Sequence, residues 1–186
     1  MRVTPGAPQI MASRNTRGFS TIELMLALGI VGVLLAFAIP SFDSFMANGR
    51  RAEVANDLLL AMKMARSEAE KRVMPITVCA SDDQTTCHNN GTAFDSGWLL
   101  FTDQDRDGVL DAGEELLMFS AYTTSSHTVY GNARRFTFRP FGAAATNSSI
   151  VICDNRGVSD SRVVIVAQSG RARISETMSD GSAPAC

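Results

Sequence analysis

From Leu24 to Phe42 the chain carries no charge for 19 residues. A run of that length crosses a bilayer as a helix. One carboxylate, Glu23, stands at its start, and Pro40 stands near its end. Proline removes a backbone donor, so Pro40 predicts a kink or local opening. It does not predict a stop, because helical spacing resumes beyond it. Between Ala47 and Arg72 the apolar positions Val54, Leu58, Ala61, Ala65 and Ala69 recur every three or four residues. Arg50, Glu53, Lys63, Arg66 and Glu70 fill the other faces. The pattern predicts one long helix, lipid-facing in its first half and amphipathic in its second.

After Arg72 the period changes. Ile76–Ala80, Trp98–Thr102, Leu116–Tyr122, Arg135–Phe138, Ile150–Cys153 and Arg162–Ala167 are short apolar or alternating runs between Gly, Asp, Asn and Ser clusters. A last run, Arg171–Ser175, returns across the tight Gln168-Ser169-Gly170 turn. An antiparallel sheet packed on the amphipathic half-helix buries both apolar faces, which predicts an α+β class. The organisation expected is residues 1–18 as a leader, 19–46 as the membrane half of the helix, and 47–186 as a single head domain. Only the tail Thr177–Cys186 reads as irregular.

The leader is basic, ends in Gly18, and precedes the apolar run. A Sec-type signal has a shorter apolar core with its cleavage site after it. Here Gly18-Phe19-Ser20-Thr21-Ile22-Glu23 resembles the class III signal of type IV prepilins and pseudopilins. The resemblance implies cleavage after Gly18 by a prepilin peptidase and methylation of the new terminus at Phe19. Glu23 falls on that family's fifth mature position, and Pro40 near its twenty-second. A carboxylate at membrane depth costs about 2.5–3.5 kcal/mol, and such groups are usually paired. The family role for Glu23 is to meet the N-terminal amine of a neighbouring subunit; the plain alternative is a carboxylate solvated at the membrane edge.

Ala65-Arg-Ser-Glu-Ala-Glu-Lys-Arg72 and Gly97-Trp-Leu-Leu-Phe-Thr-Asp103 resemble the GspH/FimT branch of minor pilins and pseudopilins. That resemblance implies the type IV pilin fold, a single-pass anchor in the bacterial inner membrane, and a head in the periplasm, or outside the cell once in a pilus. Partners are then other major and minor pilins. Two machines compete: a type IV pilus, where FimT-like subunits support assembly and in some bacteria bind DNA for natural transformation, and the pseudopilus of type II protein secretion.

Gly170-Arg171-Ala172-Arg173 matches the GRxR motif of DNA-binding FimT proteins. Residues 134–173 hold seven arginines, Arg134 and Arg135 among them, against Asp154 and Asp160. Three of the 17 Lys+Arg belong to the leader while all 19 Asp+Glu lie beyond it, so the mature chain is acidic overall. That excludes a globally basic nucleic-acid binder but not a local patch for double-stranded DNA. The other readings of Arg171 and Arg173 are a subunit contact, or exposed strand residues with no ligand.

Asp103, Asp105, Asp107, Asp111 and Glu114, with Gly108, follow the spacing of an EF-hand loop, making calcium the candidate ion. Asx-turn chemistry explains several of these acids equally well. The four cysteines suit an oxidising compartment and allow three pairings. Cys79 with Cys87 closes a short loop, and Cys153 with Cys186 pins the tail. No CxxC spacing supports a metal thiolate site. No P-loop, GxSxG, HExxH or paired Cys/His set supports an enzyme.

Overall fold

The computed structural model describes residues 18–88, 92–122, 127–142, 147–154, 156–157 and 160–186. The expected leader, but for Gly18, lies outside them. One helix, α1 (Thr21–Arg72), is followed by strands β1 (Ile76–Ala80), β2 (Gly97–Thr102), β3 (Leu116–Ala121), β4 (His127–Gly131), β5 (Arg135–Phe138), β6 (Ser148–Asp154), β7 (Arg162–Val166) and β8 (Ala172–Ser175). The chain divides into two compact units, one ending at Asp43 and the other spanning Ser44–Cys186. In the first, Leu24, Met25, Leu26, Leu28 and their neighbours are exposed apolar side chains on a helix long enough to cross a membrane.

The second unit, the head, holds two antiparallel sheets where the sequence predicts one. Their orders are β3-β2-β1-β5 and β4-β6-β7-β8. β4 is the strand that hydrophobic patterning does not mark. His127 and Thr128 open it, and it owes its place to pairing with Ile150–Asp154 of β6. On the helix, Val54, Leu58, Met62, Ala65 and Ala69 share one core with Val78, Trp98, Leu100 and Phe136 of the first sheet. Val129, Ile150, Ile152 and Val164 of the second sheet complete it. Each such large side chain contributes about 1.5–3 kcal/mol on full burial.

Strand residues of the opposite parity are buried too. Cys79, Leu99 and Phe101 form a small cluster with Cys87 and Leu110. Val151, Cys153, Val163 and Ile165 form another with Tyr130 and Met178. Cys79 is bonded to Cys87, and Cys153 to Cys186. Each disulfide thus fastens a loop or tail beside one small outer cluster. The tail is tied further by a turn in which Met178 N–H donates to Ser182 O at 2.9 Å.

Polar groups fix the helix onto the sheets. Asp57 accepts from Trp98 Nε1 at 2.9 Å and from the Tyr122 hydroxyl at 3.0 Å, satisfying a tryptophan that is otherwise wholly buried. Burial, reinforced by Asp57, raises the Tyr122 phenol. Nearer the start of the head, Arg51 stands 3.6 Å from Asp154, both side chains only 5% exposed. Asp154 is also paired with Arg156, whose guanidinium reaches Ser44 O at 3.3 Å and Asn48 Oδ1 at 3.0 Å. Burial pushes the Asp154 carboxyl up, but Arg156 and Arg51 outweigh it and hold it below the usual range.

The helix ends without its usual glycine. Val73 takes the left-handed position after Arg72, at φ 56°. For a side chain with a Cβ that backbone costs about 1–2 kcal/mol.

Candidate nucleic-acid interface and acidic loop

Gly18 and Phe19 precede α1, and Glu23 lies exposed in its first turn, within the turn closed by the Leu24 N–H to Ser20 O bond of 3.1 Å. The three stand together, exposed, at the start of the apolar helix.

The arginine turn is built by backbone chemistry. Ala167 N–H donates to Arg171 O at 2.9 Å, and Gly170 N–H to Ala167 O at 2.8 Å. Gly170 closes that turn at φ 75°, a backbone glycine adopts without strain. Beyond it β8 pairs Ala172 with Val166 and Arg173 with Ile165. Alternation then sorts the side chains. Ala172 and Ile174 pack on the core, while Arg171 and Arg173 are exposed.

Arg171 does not stand alone. With Gly170 and Ala172 it lines one side of a groove of about 460 Å³, and Lys63, Arg66, Ser67 and Glu70 of α1 line the other. Glu70 is the one carboxylate in that lining, and it is paired with Arg66 at 3.1 Å. Lys63 and Arg66 are additions to the predicted patch. Their helical spacing marks them only as a polar face, and the fold brings that face to the turn.

Arg134 and Arg135 belong elsewhere. They stand at β5, the edge of the other sheet, beside a cleft of about 160 Å³ lined by Cys79, Cys87, His88, Gly108 and Val109. Arg135 Nη1 donates to the Asp107 carbonyl, and its guanidinium lies over Gly108, leaving no room there for a Cβ. The structure therefore groups Arg171 with Lys63 and Arg66, and ties Arg135 to the acidic loop.

That loop joins β2 to β3, so strands flank it where an EF-hand has helices. Asp103 is fully buried and accepts from Thr77 Oγ1 at 2.5 Å and Gly108 N–H at 3.2 Å. Asp105 accepts from Asp107 N–H at 3.1 Å, and Asp107 from Val109 N–H at 2.7 Å. Glu114 accepts from the amides of Gln104 at 2.7 Å and Asp111 at 3.2 Å. Carboxylate oxygens of Asp103, Asp105 and Glu114 come within 4.8 Å of one another, and so do those of Asp105, Asp107 and Asp111. Ligands 2.3–2.6 Å from a calcium ion span comparable distances.

Residues 54–170 match the family model described as type II transport protein GspH. The pilin-like protein PilA1 of Thermus thermophilus is 31% identical over 85% of this chain and 97% of its own length. The major pilin PilA of Myxococcus xanthus is 45% identical over 44 residues, 24% of this chain and 20% of its own. Among solved structures, the type IV minor pilin FimU of Pseudomonas aeruginosa superposes with a TM-score of 0.54 over 75% of this chain and 96% of its own, at 23% identity. The fold is that of type IV pilins: one long N-terminal helix packed on antiparallel sheets. Such relatives are structural subunits and not enzymes. Over more than half its length, then, in sequence as in fold, the chain belongs to the GspH family of pilin-like proteins.

Proposed function

We propose that the chain is a minor pilin of a type IV pilus, cut after Gly18 and methylated at Phe19 by a prepilin peptidase. Its anchor sits in the bacterial inner membrane and its head in the periplasm, moving outside when the pilus extends. It supports assembly with other major and minor pilins, and its head binds double-stranded DNA weakly for uptake in natural transformation. The observation that carries the DNA reading is the groove in which Lys63 and Arg66 face the Gly170–Arg171 turn. Guanidinium and ammonium groups there grip phosphates without reading bases. Arg173 continues the patch along β8. A second reading, a pseudopilin of type II secretion, is favoured by the description of the matching family.

Maturation is tested first. Intact mass of membrane-extracted protein lacks residues 1–18, and Glu23→Ala still inserts in the membrane but is missing from sheared pili. An uncut mature species, or normal incorporation of Glu23→Ala, defeats this part of the reading.

We propose further that calcium occupies the acidic loop and holds it, with no catalytic part. Binding to the folded chain alone stabilises it by linkage, about 2.7 kcal/mol at a hundred times Kd. Millimolar calcium accordingly raises Tm. Asp105→Ala abolishes the rise, because Asp105 belongs to both carboxylate triplets. With no calcium effect on Tm, the carboxylates are turn formers only.

A further inference from the structure

Two residues of the head hold left-handed backbone while leaving an apolar side chain in solvent. Val73, at φ 56°, is 66% exposed, and Phe141, at φ 71°, is 95% exposed. For β-branched or bulky residues that region is an outlier. Such strain persists where something else holds it, commonly a functional contact.

Strand register brings the two to one end of the head. Ile76 pairs with both Thr102 and Phe138, so the start of β1 lies beside the ends of β2 and β5. Val73 lies just before β1, and Phe141, in the 3-10 turn Pro140–Gly142, just after β5. Leu116, the first residue of β3, pairs with Phe101 of β2 and is exposed as well. The neighbouring Glu115 is joined to Arg72 of the helix end at 2.6 Å. Three apolar side chains thus share one end, rimmed by that ion pair and by the exposed Arg139. A solitary head gains nothing from this arrangement, since glycine at either position would relieve the backbone and remove the apolar surface.

We propose that this end docks the helix neck of a neighbouring pilin-type subunit, the turn just beyond that subunit's membrane run. This chain's own neck shows the chemistry required. Phe45 and Met46 are exposed apolar side chains at the other end of the head's helix segment. Phe45 and Arg72 stand 27 positions apart, about 40 Å of helix. Apolar patches at opposite ends of one body make a heterologous contact, which propagates head to tail and does not close as a two-fold dimer. The inference rests on the filament reading and adds which surfaces meet.

The test uses the full-length chain in its own membrane and pili sheared from cells. Phe141 is replaced by the photoreactive benzoylphenylalanine. The expected product is an adduct to a pilin-type subunit whose crosslinked peptide covers the residues just after its apolar run. An adduct elsewhere, or none while the wild-type chain is present in sheared pili, overturns the docking and spares the filament reading. Absence of the wild-type chain from sheared pili overturns both.

A second measurement separates docking from folding. Val73→Gly and Phe141→Gly each raise Tm by about 2–4 °C. Combined, they lower incorporation into pili at least about tenfold, the loss of some 1.4 kcal/mol of contact. Raised Tm with unchanged incorporation, or a lowered Tm, overturns the proposal.

Discussion

Replacing Arg171 and Arg173 together by glutamine weakens duplex DNA binding roughly 10- to 100-fold, as expected when two charge-assisted phosphate contacts are lost. Both side chains are exposed, and neither packs in a core cluster, so the fold survives the change. The salt dependence is the sharper readout. Each neutralised phosphate contributes a log–log slope of about −0.9, so the double variant loses roughly 1.8 of slope. Sequence preference stays slight, because phosphate contacts position and do not specify. Lys63→Gln lowers affinity as well, since Lys63 lines the same groove. The same exchange at Arg134 and Arg135, on the edge of the other sheet, has the smaller effect. Transformation falls while pili still assemble. A double variant that binds DNA normally but blocks assembly or secretion makes the motif a subunit contact, and the pseudopilin reading then leads.

The second large effect belongs to Asp154. Asp154→Ala removes the anion that faces both Arg51 and Arg156. Arg51 is 5% exposed and already carries a pKa lowered by burial and by the Arg162 charge. Arg51 keeps a second carboxylate, Asp160, at 3.7 Å, so the loss lies at the lower end of the about 3–5 kcal/mol that follows when a buried charge loses its partner. At about 2–4 °C per kcal/mol, melting of the detergent-solubilised chain falls by about 10 °C. The pH dependence follows from the sign of the shift. Asp154 has a folded pKa below its unfolded value, so its stabilisation is present above that unfolded value, near 3.9. It is lost as pH falls through the lower folded value. The wild-type chain therefore loses Tm steeply below about pH 4, and Asp154→Asn flattens that fall. An unchanged acid limb in the variant assigns the acid sensitivity to other carboxylates.

The helix, seven of the eight strands and the arginine turn were legible in the sequence because each carries a local signal. The apolar run, the helical spacing of Val54, Leu58, Ala61, Ala65 and Ala69, and the turn at Gly170 need no distant partner to be seen. β4 was not legible. Only Val129 and Gly131 of its five residues are buried, so its pattern is too faint to stand apart from a loop. The division into two sheets was hidden for a different reason. β2 is buried at every position, so no alternation reveals which residues face the helix and which face the outer cluster. Helical spacing marks Lys63 and Arg66 only as charges on the faces beside the apolar stripe, and only tertiary closure sets them opposite Arg171.

The outer clusters give the head an uneven grain. Its central core draws on the helix and both sheets, whereas each outer cluster depends on a segment fastened by one disulfide. Opening energies in such a body differ from layer to layer. Reduction frees the loop around Cys87 or the tail to Cys186 to peel away independently, while the helix–sheet interior stays closed. Oxidation of the two cysteine pairs therefore completes the skin of this protein, and its heart can form before the sulfurs are joined.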